Sequence, residues 1–301
     1  MSVTPDIQPP RARRPHPAAL LELIKPITWF PPMWAFLCGV VSAGAGMAAH
    51  WPQALVGVIL AGPVVCGMSQ AANDWCDRHV DAINEPDRPI PSGRVPPRWA
   101  LATALAMSAL ALLLGLTLGP WGFGATALAV LAAWAYSAEP VRLKRSGWWG
   151  PGLVGLSYEG LPWFTGAAVV SAAFPRWEVV ATAALYALGA HGIMTLNDFK
   201  ALEGDRATGV NSLPVTLGPE RAARLACLVM ALPQVVVAFL LYEWGATWSA
   251  VAVSVSIALQ LWAMTALLGD PKGRAPWYNG TGVLLYVAGM MAAAIGLRGL
   301  A

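Results

Sequence analysis

The stretch NDWCDRHVDAINEPDRPIPSGR, residues 73–94, carries four Asp, one Glu and three Arg, and it follows directly on a run, 53–72, without a charged side chain. An apolar run of that length has the span of a membrane helix. If the helix continues past its apolar end, Asp74, Asp77 and Asp81 fall at i, i+3 and i+7 on one face, with Asn73 beside Asp77. Carboxylates on one stripe repel each other, and the C-terminal end of a helix dipole disfavours anions further. A hard divalent cation resolves both conflicts. Oxygen ligands from Asp and Asn suit Mg²⁺, which keeps several waters and bridges readily to phosphate oxygens.

The rest of the chain supports a membrane setting. Of its 301 residues 57% are hydrophobic and 12% charged, with a mean hydropathy of +0.56, which excludes an ordinary soluble domain and leaves no basis for nucleic-acid binding. Apolar runs predict nine spans, at 29–47, 53–72, 99–118, 121–137, 151–171, 178–197, 223–242, 247–267 and 278–297. The expected organisation is a disordered basic tail, 1–25, rich in Pro and Arg and lacking a cleavable signal, then a single domain, 26–301. Cys38, Cys66, Cys76 and Cys227 show no paired spacing and read as packing residues.

Of the 19 Lys and Arg, all but Arg176 and Arg298 lie in the tail or in the connections 73–98, 138–150, 198–224 and 268–277. That face is the cytoplasmic one, which places the N-terminus inside and the C-terminus on the opposite side. Two cytoplasmic connections run to about 26 residues, and long polar loops on one face of a bundle carry function. The second opens much as the first does, with Asn197-Asp198-Phe199-Lys200 and, further on, Glu203, Asp205 and Arg206. The chain therefore reads as two weakly similar four-helix units plus a ninth helix. A solvated helix end with ordinary interfacial charges would explain one such cluster; two in corresponding positions point to a site.

Cations complete it. Arg88 and Arg94 sit in a loop stiffened by Pro86, Pro89, Pro91, Pro96 and Pro97, and a stiff loop keeps its charges aimed. The segment YSAEPVRLKRSG, 136–147, adds Arg142, Lys144 and Arg145; for Arg145, as for Arg11 to Arg14, the plain positive-inside bias is the better explanation. These cations suit an anionic leaving group. Trp29, Phe30, Trp34, Trp134, Tyr136, Tyr158, Trp163 and Phe164 offer flat surface in the cytoplasmic half, whereas Trp51, Trp121, Trp177 and Trp244 read as interfacial anchors. His191, seven residues before Asp198 on the same helix face, is either a ligand for a substrate metal or a hydrogen-bonded interhelical histidine. Glu159, an acid deep in a span, is a site residue or a buried hydrogen-bonded acid.

The paired Asp-rich motifs resemble the UbiA superfamily of intramembrane prenyltransferases over nearly the whole chain. KPITWFPPMWAF (25–36), the 73–94 string, SYEGLPW (157–163) and TLNDFKALEGDR (195–206) are similar to the chlorophyll and bacteriochlorophyll synthase branch, and WFPPMWAF, GMSQAANDWCD and GIMTLNDFKALEGDR lean to its bacteriochlorophyll side. The resemblance implies an all-α bundle of nine transmembrane helices around a central cavity, with cytoplasmic cap loops, in the photosynthetic inner membrane of a bacterium. It implies esterification of the propionate of bacteriochlorophyllide a by geranylgeranyl or phytyl diphosphate. Two Mg²⁺ ions would bridge to the diphosphate, held by Asn73, Asp74, Asp77 and Asp81 and by Asn197, Asp198 and Asp205, with Asp74, Asp77 and Asp198 central to catalysis. Arg88, Arg94, Arg142, Lys144, Tyr136, Lys200, His191, Glu159 and Trp34 would face substrates, and lipid, pigment-biosynthesis or photosystem-assembly proteins are the expected partners. Two departures stand out. Leu202 occupies a position where many members carry Asp, leaving Glu203 or Asn197 to share the work, and the family's Tyr-x-x-x-Lys element would begin at Tyr136 but meets Pro140, leaving Arg142 and Lys144 as substitutes. An aromatic-ring prenyltransferase of quinone synthesis and a pigment-binding or transport protein are the alternatives.

Overall fold

The computed structural model describes residues 14–44 and 47–300, which form an all-helical bundle. Fourteen helices follow in order: α1 (Pro17–Leu23), α2 (Phe30–Ser42), α3 (Met47–Ile59), α4 (Gly67–Asn84), α5 (Pro97–Thr117), α6 (Gly119–Ser137), α7 (Trp149–Gly155), α8 (Leu161–Ser171), α9 (Trp177–Asn197), α10 (Leu202–Thr208), α11 (Leu213–Leu217), α12 (Pro219–Glu243), α13 (Thr247–Gly269) and α14 (Pro271–Arg298). Two π-helical segments, Leu60–Cys66 and Leu156–Gly160, join α3 to α4 and α7 to α8.

Six stretches among the described residues are long and apolar enough to cross a membrane: Ala49–Asn84, Pro97–Thr117, Trp177–Thr208, Pro219–Glu243, Thr247–Gly269 and Pro271–Arg298. The first, fourth and fifth expected spans correspond to α2, a shorter apolar helix, to α6, and to the α7–α8 rod, all outside that set of six. Large apolar side chains such as Leu113, Leu131, Phe239, Trp248 and Trp262 point outward. On a soluble protein so much exposed apolar surface would be a liability; against lipid it is the expected finish.

Expectations at the charged end of the bundle need correction. Residues 1–13 of the expected tail lie outside the described residues, but 17–23 are helical, with Pro17 in the first turn, His16 Nδ1 accepting from the Ala18 N–H, and Ala19 and Leu23 buried. Those two residues pack with Met68, Ala71 and Ala72 of α4, so burial of an apolar pair gives this segment its order. The long loops are also shorter than the charge pattern suggested. Helix α4 runs on to Asn84 because no Gly or Pro interrupts it before Pro86, which forces Glu85 out of helical geometry. The second connection likewise continues as a 3₁₀ turn, Asp198–Ala201, and α10, ending at the left-handed Gly209.

The core falls into two main packing groups. One joins α1, α4, α5 and α6 through residues such as Leu23, Met68, Ala104 and Val130. The other joins α2 and α8 with α9, α12, α13 and α14 through Trp163, Tyr186, Met230, Leu267 and Tyr286. Helix α2 thus packs with the C-terminal helices. A Cβ on Gly39 would lie 2.0 Å from the Trp163 carbonyl oxygen, and one on Gly166 2.2 Å from that of Phe36, so α2 and α8 approach as closely as they do because both positions are glycine. The seam between the two groups opens into the cavity described next.

Candidate active site

A cavity of about 1150 Å³ is lined by α4, α6, the α7–α8 rod, α9 and α10, with the segment after α1 and the 85–89 loop at its rim. Its mouth is ionic: Asp77, Asp81, Asp198 and Asp205 share it with Lys25, Arg88, Arg142, Lys144 and Lys200. Its depth is apolar and small, with Ala61, Val65, Ala129, Ala132 and Ala133 on one wall.

The first motif lies on α4 as its spacing predicts, with one change. Asn73, Asp77, Val80, Asp81 and Asn84 line the cavity, whereas Asp74 sits one step around the helix and is 1% exposed. Asp74 is covered by two cations: Lys25 Nζ donates to Oδ1 at 2.7 Å and Arg88 Nη1 lies 3.4 Å from the same oxygen. Arg88 also donates to Asp81 Oδ2 at 2.9 Å and to both Glu85 oxygens, so a single guanidinium ties three acids. On the other side Arg142 Nη2 donates to Asp77 Oδ1 at 2.9 Å, and Lys144 donates to Asp77 Oδ2. Asn73 spends an amide N–H on Ser137 Oγ at 3.3 Å.

Neighbouring charges set the state of these cations. Burial alone would lower the Arg88 pKa, but the Glu85 hydrogen bond and the charges of Asp74 and Asp81 outweigh it and raise it. Burial dominates at Lys144 and lowers its pKa despite the attraction of Asp77. Arg142 and Lys144 are held in place by a backbone tie: Gly147 N–H donates to Asn211 O at 2.9 Å and Asn211 N–H to Arg145 O at 3.1 Å. A Cβ at 147 would meet Asn211 O at 2.7 Å, so only glycine lets the 142–147 segment close on the residues that follow α10.

The second motif brings Asn197, Asp198, Lys200 and Asp205 to the opposite wall, while Leu202, at the departure from the family pattern, is buried in packing. Asn197 Oδ1 accepts from Asn279 Nδ2 of α14 at 2.7 Å, which commits one lone pair of that oxygen. Tyr136 and Glu159 also line the cavity.

Three expected substrate residues do not. Arg94 turns outward, where Nη2 donates to Glu22 Oε1 at 2.8 Å and to Asp87 O at 2.7 Å. Trp34 donates to Val287 O at 2.8 Å and stacks on Phe30, and His191 Nε2 pairs with Trp148 O at 3.2 Å, with the ring against Trp148. Of the wider aromatic set, Tyr136 and Tyr158 line the cavity; Trp163 is fully buried and donates to Ser42 Oγ. Sequence reasoning missed Lys25, whose one signal was its place directly before Pro26 at the start of the apolar region, and Gln70 and Asn279, which carried none.

The profile described as the UbiA prenyltransferase family matches residues 32–296. The chain belongs to the UbiA prenyltransferase family. Among UbiA relatives, the bacteriochlorophyll synthase 33 kDa chain of Cereibacter sphaeroides is 68% identical over 286 residues, 95% of each chain. That of Rhodobacter capsulatus is 61% identical, covering 98% of each. This UbiA member is thus a homologue of bacteriochlorophyll synthases, and prenyl transfer is its chemistry. The solved structure of a UbiA homologue from Archaeoglobus fulgidus bound to DMAPP and Mg²⁺ superposes with a TM-score of 0.69 at 21% identity, covering 92% of this chain and 99% of that one; it shows a shared fold.

The residues fit a magnesium ion. Donors at the mouth are oxygen atoms of Asn73, Asp77, Asp81, Asn197, Asp198 and Asp205; behind them, outside the cavity lining, Asp74 Oδ2 is buried without a hydrogen-bond partner, an acceptor open to a cation once its cover moves. Among the described residues no three His, Cys, Asp or Glu converge on one point. That suits an ion held through one or two carboxylates and completed by phosphate oxygens, rather than a closed protein cage.

Proposed function

We propose that this chain esterifies the propionate of bacteriochlorophyllide a with geranylgeranyl or phytyl diphosphate, releasing diphosphate. The observation that carries the reading is one cavity whose mouth gathers both Asp-rich motifs with Lys25, Arg88, Arg142, Lys144 and Lys200, above walls of Ala and Val. Supporting it are the high identities to bacteriochlorophyll synthases.

Asn73, Asp77 and Asp81 on one wall, and Asn197, Asp198 and Asp205 on the other, would hold two Mg²⁺ ions, with Asp74 joining the first set when Lys25 and Arg88 turn from it to the diphosphate. When bound, Mg²⁺ neutralises charge on the departing diphosphate. Lys25, Arg88, Arg142, Lys144 and Lys200 orient the diphosphate at the mouth and stabilise the negative charge that grows on its bridging oxygen as the C1–O bond breaks. The leaving group takes the electron pair of that bond, and a propionate oxygen forms the new bond to C1. No proton moves. At neutral pH a propionate with the ordinary carboxyl pKa of about 4.3 is already an anion, so a general base is unnecessary. In support of this reading, neither His79 nor His191 lines the cavity, although Tyr136 and Glu159 do. The apolar depth excludes water, which would otherwise capture the allylic carbon.

With α2, α6 and the α7–α8 rod counted beside the six long helices, the chain would cross nine times, and the Lys and Arg bias supports a mouth and N-terminus at the cytoplasmic face and a C-terminus opposite, in the bacterial photosynthetic membrane. The 85–96 loop and the 198–218 segment cap the cavity.

The test supplies the purified full chain with bacteriochlorophyllide a, geranylgeranyl or phytyl diphosphate and Mg²⁺, and in parallel with a hydroxybenzoate acceptor. Esterified pigment and stoichiometric diphosphate are expected from the first pair and no product from the second. Alkylated phenol without esterified pigment would overturn the assignment.

A further inference from the structure

The walls of the cavity are not uniform. Beside the Ala and Val lining, partly on the same rod as Ala61 and Val65, a band of polar side chains lies below the charged mouth. Gln70 Nε2 donates to Tyr158 Oη at 3.0 Å, Cys66 Sγ lies 3.2 Å from that same oxygen, and Thr28 Oγ1 lies 3.3 Å from Cys66 Sγ. Beside Tyr158 is Glu159, 4% exposed, which makes no hydrogen bond and whose Oε2 is enclosed without a partner among the described residues. Both π-helical segments end here, one at Cys66 and the other spanning Tyr158 and Glu159. Each shifts the side-chain register of its rod locally, a departure that costs regular hydrogen bonding and recurs where side chains must be aimed at a ligand.

Depth identifies what the band meets. Gln70 precedes Asp77 by seven residues on the same helix, which places it roughly 10 Å further into the membrane. A prenyl chain at that depth is hydrocarbon and gains nothing from an amide, a phenol and an unpaired carboxyl; polar groups left beside it would each carry a desolvation cost. A tetrapyrrole is different. With its propionate at the mouth, its flat body reaches this level, and the two rings that flank the propionate-bearing ring carry carbonyl groups at their sides. The apolar wall continues past the cavity into a small pocket of about 40 Å³ between Phe36, Gly57, Leu60, Thr126 and Leu161, sharing Ala61, Val65 and Ala129 with it.

Resting on the prenyl-transfer reading above, we propose that Glu159, with Tyr158 and Gln70, recognises a ring-borne carbonyl on the side of the macrocyclic acceptor, while the Ala61–Val65–Ala129 wall takes the prenyl chain. The unpaired carboxyl gives this proposal a signature that a structural role lacks. Removing a buried group that has no partner relieves a cost instead of creating one, so Glu159→Leu keeps or raises thermal stability while it weakens the acceptor. Gln234 provides the contrast: it exchanges hydrogen bonds with Gln260 at 3.1 and 2.9 Å, fully buried between α12 and α13.

The experiment measures bacteriochlorophyllide a binding by absorbance titration of the detergent-solubilised full chain, separately from turnover, together with Tm and the KM of each substrate. Glu159→Leu is expected to raise the acceptor Kd and KM about tenfold, as the loss of one good hydrogen bond would, to leave the prenyl diphosphate KM within about twofold, and to leave Tm unchanged or higher. Glu159→Gln, which can still donate and accept, should recover most of the acceptor affinity, and Gln70→Leu should weaken it in the same direction. Gln234→Leu should lower Tm without moving the acceptor Kd. An acceptor Kd unchanged in both Glu159→Leu and Gln70→Leu overturns the proposal, as does an equal rise in both KM values. Failure of the wild-type chain to turn over, with pigment binding intact and sensitive to Glu159, would overturn the prenyl-transfer reading while leaving the acceptor edge where it is placed.

Discussion

Lys25→Met isolates the contact that covers Asp74 while keeping the apolar stem of the side chain. Lys25 Nζ is 2.7 Å from Asp74 Oδ1; the Asp74 side chain is 2% exposed and that of Lys25 25%. At an effective dielectric near 20, the bare attraction at this separation is roughly 6 kcal/mol. Little of that survives as net stability. Lys25 reaches solvent, which screens the pair, and Arg88 remains 3.4 Å from the same oxygen, so the expected cost is about 1–2 kcal/mol, below the 3–5 typical of a fully buried pair that loses one partner. For a chain of this size that corresponds to a fall in Tm of about 2–6 °C without added Mg²⁺. The decisive assay is a double-mutant cycle by thermal unfolding with Asp74→Asn. Each single substitution strands a charge that the other had matched, so the double variant should be less destabilised than the sum by about 1 kcal/mol. Additivity within about 0.3 kcal/mol would refute the pairing, and with it the placement of Lys25 at the mouth.

Chelation of divalent cations should abolish turnover, and Asp74→Asn, Asp77→Asn and Asp198→Asn should each slow single-turnover esterification about a hundredfold or more; near-normal rates in any one would remove that residue from the metal site. Arg88→Ala should raise the prenyl diphosphate KM at least tenfold, whereas Arg94→Ala, whose guanidinium faces Glu22 and Asp87 O, should change it less than threefold, read from steady-state kinetics with both substrates varied. His191→Gln and His79→Gln should slow the chemical step tenfold or less, since no base is needed; a loss of several hundredfold in either, with binding and fold intact, would mean that a proton must be removed.

Much of the site was legible because its chemistry is local. The i, i+3, i+7 spacing on α4 placed Asp77 and Asp81 on one face, and the family strings tied 73–94 to 195–206. Asp74 shows the limit of that reading: it lies one helical step from Asn73, enough to send it under Lys25 rather than into the cavity. Its partner lies 49 residues away in sequence, and the pairing exists because α1 docks through Ala19 and Leu23, a packing event that charge patterns do not encode. Arg94 failed for a similar reason. The stiff loop does aim it, but toward Glu22, 72 residues earlier. Loop lengths were overestimated because hydropathy ends where charges begin, whereas the backbone of α4 and of the segment after α9 stays helical until a Pro or a left-handed Gly stops it. The two π-helical segments left no mark in composition, so the polar band beneath the mouth emerged only from the folded chain.

In the proposed reaction the charged mouth draws diphosphate away from the prenyl carbon and the propionate enters as an intact nucleophile. Labelling both propionate oxygens of bacteriochlorophyllide a with ¹⁸O tests this directly. Mass spectrometry of the products should find both labelled oxygens in the prenyl ester and none in the released diphosphate. Transfer of one ¹⁸O to the diphosphate would mean that the carboxylate is activated by attack on phosphorus, and would contradict the central claim.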